Sequence, residues 1–187
     1  MGKTAMHQKS KLIALGGIFS ALCVTLMFFT GLVPFGGFFL PMAAGAMLLP
    51  VVVELGCKPA VIAYISTSLL CALMAPDRQA VMVFIALFGY YPIVKQKLEQ
   101  IQSRAIEYFC KLLLFNISMA AGLAVMAYVF GVAQVLQNMG NFGKYTVPIL
   151  WAAGNIVFAL YDLTLTKFYI LYMGRLRPIL LRRPRPE

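Results

Sequence analysis

The sequence predicts an all-α, polytopic membrane protein of six transmembrane helices with the N- and C-termini both cytoplasmic. Three observations carry this. Hydrophobic residues make up 61% of the 187 positions and charged residues only 12%, about half the charge of an ordinary soluble domain. The mean hydropathy is +0.85. The apolar residues fall in long runs with basic residues at their ends, and 187 residues leave room for about six spans of roughly 20 residues and no second soluble domain. The chain reads as a single membrane domain over residues 1–187.

The stretch that orients the rest is Lys95–Lys111, KQKLEQIQSRAIEYFCK, the internal segment with dense charge. It divides the chain into halves and reads as a cytoplasmic loop, because basic loops stay on the cytoplasmic side. Of the 16 basic residues, thirteen lie on the N-terminal tail, near Lys58, in this loop or on the C-terminal tail; Arg78 and Lys144 fall on the opposite side and Lys167 within the last span. Six spans satisfy the rule at every loop. Five or seven would put the basic tail or the central loop on the wrong side.

In order, residues 1–11 form a polar, basic cytoplasmic tail that carries the sole histidine, His7. The run is too long and lacks the small-residue cleavage pattern of a signal peptide. The first span covers about Leu12–Gly31 and carries two small-residue pairs, Gly16 with Ser20 and Gly17 with Ala21, on neighbouring faces. Such pairs let another helix approach closely in lipid, either within this chain or from a partner. Residues 31–41, with three glycines and two prolines, read as an irregular outer connection. The second span follows to about Val53, with Pro41 near its start and Pro50 near its end. Glu54 and Lys58 bracket a short turn. The third span, Ala60–Ala75, ends at the polar turn Pro76-Asp77-Arg78-Gln79, and the fourth runs over Ala80–Val94. Tyr90 and Tyr91 read as interfacial anchors, and Pro92 as a bend. The fifth span is placed at Phe109–Phe130 and the sixth at Val147–Met173, with a polar, glycine-containing segment between them. The basic cytoplasmic tail, residues 174–187, adds five arginines.

The net charge of +10 is topological rather than a nucleic-acid footprint, since it sits at span ends and suits anionic headgroups. The four cysteines form no CxxC or Cys/His cluster, so neither a metal site nor a disulfide framework is expected. HExxH, GxSxG, P-loop and paired-aspartate patterns are absent, which argues against an enzyme and against a self-energised pump; no cofactor is expected.

Polar groups within the bilayer are functional candidates. Asn155 and Asp162 lie seven apart on one face of span six, and Asn116 on span five sits at a depth that suggests a buried polar pair with Asp162, acting as interhelical glue. Lys167 is near enough to the inner end to snorkel. At the outer face, Asp77, Arg78 and Gln79 share a side with the 31–41 and 131–145 segments. Together they form either a pocket with movable covers or short solvated turns with a weak Asp77–Arg78 pair.

In its size, six spans, inward termini and small residues at four-residue spacing on helix one, the chain resembles the substrate-binding S components of energy-coupling factor (ECF) transporters. In that family an Ala-xxx-Ala-type motif on helix one contacts the transmembrane T component; Gly16, Gly17, Ser20 and Ala21 occupy that place, with Gly for Ala at the first positions. The resemblance implies a substrate-binding subunit for uptake of a vitamin-like or other small micronutrient across a bacterial cell membrane. Its partners would be a T component and two ATPase subunits, and the loaded subunit would topple within the membrane. It also implies an outward-opening site, carried over to Asp77, Arg78, Gln79, Asn138, Asn141 and Asn155. Two other readings stand beside it: a membrane scaffold or assembly factor without a ligand, and a small solitary carrier or channel.

Overall fold

The computed structural model describes residues 2–33, 36–131 and 146–180. Among them there is no strand, and six helical segments are long and apolar enough to cross a membrane: Leu12–Gly31, Gly36–Leu55, Cys57–Met74, Arg78–Leu98, Arg104–Val129 and Trp151–Ile179. The all-α, six-span fold class therefore holds, with several boundaries moved outward.

The first shift concerns residues 31–41. Gly36–Met47 is helical and takes Pro41 within it, so most of the expected irregular connection belongs to span two. That span is broken near its middle, with a helix ending at Met47 and another running over Leu49–Leu55. Pro50 has no N–H, which leaves the Ala46 carbonyl without its helical donor. Gly56, at φ 84°, turns the chain straight into span three; that left-handed backbone is one a side chain resists.

Span four is broken too. It comprises Arg78–Val83, a π-helical turn over Phe84–Phe88 and a second helix, Tyr91–Leu98. The Gly89 N–H donates to Phe84 O at 2.7 Å instead of to Ile85 O, and the released Ile85 carbonyl accepts from the Tyr64 hydroxyl of span three at 2.8 Å. Pro92 cannot donate to Phe88 O, and the Tyr161 hydroxyl of span six does so at 3.1 Å. Two tyrosines thus satisfy carbonyls that the break orphans, which a bilayer interior requires. The two breaks are neighbours: a Cβ on Gly45 would lie 2.5 Å from Phe88 O and 2.6 Å from the Tyr161 hydroxyl.

The second shift concerns residues 95–111. Helix continues through Leu98 and resumes at Arg104, so the connection is short and much of the expected loop is span. The C-terminal segment likewise stays helical to Leu180 through a π-helical turn at Tyr172–Leu176, and Arg177 Nε donates to Glu54 at 2.8 Å.

Three buried clusters stack along the bundle. Leu15, Phe19, Val51, Val52, Ile93 and Tyr172 pack at the basic end. Tyr91, Phe115, Phe158, Tyr161 and Leu165 fill the middle between spans four, five and six. Cys23, Met27, Ala44, Cys71, Ala75 and Phe84 close the opposite end. Outward faces carry exposed Ile13, Ile62, Leu69, Phe109 and Ile170, as expected where lipid rather than water is the solvent.

Candidate functional site

Residues four apart on a helix share a face, and three such sets converge below the middle of the bundle. Tyr91, Lys95 and Glu99 line one face of span four and its end, Glu107 and Lys111 one face of span five, and Asp162 and Thr166 one face of span six. Lys95 and Lys111 are each 3% exposed and Asp162 8%.

Asp162 is the hub. Its Oδ1 accepts from the Tyr91 hydroxyl at 2.6 Å and from Lys95 Nζ, while its Oδ2 faces Lys111 Nζ at 3.4 Å. Lys95 Nζ also reaches the Asp162 carbonyl at 3.1 Å, Thr166 Oγ1 at 2.9 Å and Glu99 Oε1 at 3.0 Å. Lys111 Nζ pairs with Glu107 Oε1 at 2.6 Å and with Glu99 Oε1 at 3.5 Å. Each ammonium has three protons, and both lysines have at least three acceptors around them. Glu99 is the open member, its side chain 43% exposed.

An aromatic layer bounds the cluster on the side away from the basic end. Phe115 stacks on Phe158 at 4.3 Å between centroids, Tyr91 meets Phe158 edge-on at 4.9 Å, and Tyr161 meets Phe88 edge-on at 4.9 Å. On another side lies a cavity of about 180 Å³. Its polar wall is Lys95, Gln96, Glu99, Thr166 and Tyr169; its apolar wall is Leu49, Val52, Val53 and Pro92. The proline that breaks span four therefore lines the cavity. A second cavity, about 240 Å³ and almost wholly apolar, lies near the opposite end between spans one and three, against Phe28, Cys71 and Met74.

The expected buried pair of Asn116 with Asp162 requires correction. Asn116 Nδ2 donates to Asn155 Oδ1 at 2.9 Å, and Asn116 Oδ1 accepts from Trp151 Nε1 at 2.6 Å. Register explains the exchange. Spans five and six are antiparallel, and at 1.5 Å rise per residue Asn116 lies about 7.5 Å beyond Lys111 while Asn155 lies about 10.5 Å beyond Asp162. Lysine meets aspartate, and asparagine meets asparagine one layer on. Phe115 and Phe158 stand between the two polar layers, so among the described residues no continuous polar path links them.

The outer-face residues have local partners. Asp77 Oδ1 caps the first helix of span four, accepting from the Gln79 and Ala80 N–H groups at 2.9 and 3.0 Å, as an N-cap aspartate does. Arg78 Nη1 donates to the Ala72 carbonyl near the end of span three, so it does not pair with Asp77. Gln79 is half-buried beside them. Asn138 and Asn141 lie outside the described residues. On span one the two small-residue pairs diverge. A Cβ on Gly16 would lie 2.8 Å from Leu55 Cδ1, whereas one on Gly17 would meet nothing within 4 Å. Ser20 is half-buried and Ala21 exposed.

Lys95, Lys111, Glu99, Glu107, Tyr91 and Thr166 are the residues that sequence reasoning missed. The signal was their four-residue spacing, obscured by reading the dense charge of residues 95–111 as a solvated loop. Set against protein-family models, curated proteins and solved structures, the chain matches none.

Proposed function

We propose that the chain is the substrate-binding membrane subunit of an uptake system of the energy-coupling factor type, binding a small micronutrient and working with a T component and two ATPase subunits in a bacterial cell membrane. One observation supports this most: five ionisable side chains, Lys95, Glu99, Glu107, Lys111 and Asp162, are linked by ion pairs between the spans, and two of them, Lys95 and Glu99, line a cavity. Taking an ion out of water costs several kcal/mol, and apolar replacements of a buried pair are often neutral or stabilising. A bundle that needs only to pack has no use for such a cluster, whereas solute pathways do. The broken spans two and four fit the same reading, since discontinuous helices beside a cavity are how membrane transporters build sites. Under the positive-inside rule the cavity faces the cytoplasm, so it is the exit end of the path. Loading from the other side then requires the subunit to topple or its half-spans to tilt about Leu48 and Gly89.

A second reading, the ligand-free membrane scaffold, is favoured by a different observation: Asp77, Arg78, Asn116 and Asn155 all have hydrogen-bond partners within the chain. Co-expression of the tagged chain with an ECF T component and its two ATPases, followed by pull-down and mass spectrometry of the retained small molecules, separates the two. A stoichiometric complex carrying a small molecule is expected. A well-folded chain recovered without partners or ligand would leave the scaffold.

A further inference from the structure

Resting on the uptake reading, we infer that the cavity beside Glu99 takes a small organic cation, an ammonium group carried on an apolar or aromatic body. Hydrogen-bond capacity decides the sign of the charge. Lys95 has four acceptors for three protons: Asp162 Oδ1, the Asp162 carbonyl at 3.1 Å, Thr166 Oγ1 at 2.9 Å and Glu99 Oε1 at 3.0 Å. An anion entering the cavity would therefore find no unused ammonium proton and would have to displace a carboxylate. Lys111 is likewise held by Glu107, Glu99 and Asp162.

Acceptor capacity, by contrast, is left over. Both ion pairs of Glu99 run through Oε1, and a carboxylate accepts through two oxygens. Among the described residues no ion pair engages its Oε2. With all members ionised, two lysines face three carboxylates, so the cluster carries one surplus negative charge. The basic residues flanking it, Lys97 and Arg104, are exposed, where solvent and salt screen them.

The rest of the wall suits the remainder of such a solute. Leu49, Val53 and Pro92 offer apolar contact, Gln96 an amide, and Tyr169 also lies on the lining, an aromatic residue of the kind that attracts cations. The volume of about 180 Å³ lies below the range of about 300–1,000 Å³ common for drug-sized ligands, which suits a single-ring or short-chain amine.

The test uses the full chain in lipid nanodiscs and three probes of one shape: benzylamine, benzyl alcohol and benzoate. Binding is read by titration calorimetry against empty nanodiscs. Benzylamine should bind at least about tenfold more tightly than benzyl alcohol, and benzoate more weakly than either, because a hydrogen bond to a charged group exceeds a neutral one by about that factor. Glu99→Gln, at a side chain 43% exposed, should keep the unfolding temperature and lower benzylamine affinity about tenfold. Equal binding of the three probes, a preference for benzoate, binding of none, or an unchanged affinity in Glu99→Gln overturns the assignment. Failure here with an intact complex in the pull-down removes only the cation site. Amine selectivity without a complex removes only the uptake-subunit reading.

Discussion

The ion pair between Lys95 and Asp162 makes the sharpest demand on the protein. Lys95 is 3% exposed, and Lys95→Met keeps most of its stem while deleting the ammonium. Asp162 then retains the Tyr91 hydroxyl at 2.6 Å and Lys111 at 3.4 Å. Breaking one partner out of a buried pair costs about 3–5 kcal/mol; because these partners remain, the lower end applies, about 3 kcal/mol, or roughly a hundredfold in the unfolding equilibrium. Asp162→Leu strips acceptors from both lysines and should cost somewhat more, about 4 kcal/mol. The double variant Lys95→Met/Asp162→Leu removes both charges together, while Lys111 keeps Glu107 at 2.6 Å. It should therefore cost at least about 2 kcal/mol less than the sum of the single variants. The assay is reversible unfolding in mixed micelles, followed by circular dichroism across a denaturing-detergent titration, for the wild type and the three variants. Single costs below about 1 kcal/mol would be those of an exposed pair, and additivity within about 0.5 kcal/mol would mean that the two side chains do not meet. Either result refutes the buried cluster.

Three further outcomes are expected. Tyr161→Phe removes the donor to the Phe88 carbonyl orphaned by Pro92 and should cost about 1–3 kcal/mol; in a Pro92→Ala background, where an N–H is restored, the same change should cost less, as thermal unfolding of the four proteins would show. Gly16→Leu should lower stability by about 1–3 kcal/mol through overpacking against Leu55, whereas Gly17→Leu should leave unfolding unchanged and weaken only recovery of a partner helix; destabilisation by both would mean that both faces pack internally. Asn116→Ala and Asn155→Ala should each cost about 1–2 kcal/mol, the range of interhelical hydrogen bonds in membranes, with the double variant costing less than their sum; a full loss of ligand binding at normal stability would instead make the pair part of the site.

Composition and the spacing of apolar runs were enough for the all-α class and the six spans, because a bilayer leaves helices as the economical way to satisfy a backbone and sets their length directly. Turn chemistry was legible too, from Glu54 to Lys58 and at Pro76–Gln79, since proline, glycine and aspartate act within a few residues of themselves. The two breaks were half visible. Pro50 and Pro92 mark where donors are missing, but the π-helical turn that frees the Ile85 carbonyl is not marked, and the groups that answer the freed carbonyls lie on other spans, Tyr64 for Ile85 and Tyr161 for Phe88. The charged cluster left only its four-residue spacing as a signal. Lys95, Glu99, Glu107 and Lys111 look solvated in a linear reading, and Asp162 looks destined for Asn116. Their true partners follow from the antiparallel register of spans five and six and from the depth to which span four continues as helix. Register is a property of packed surfaces, decided by how Phe115, Phe158, Tyr91 and Tyr161 interlock. Local sequence alone determined what kind of element each stretch forms; only tertiary packing decided which charges meet, because electrostatic partners are chosen across helices rather than along them.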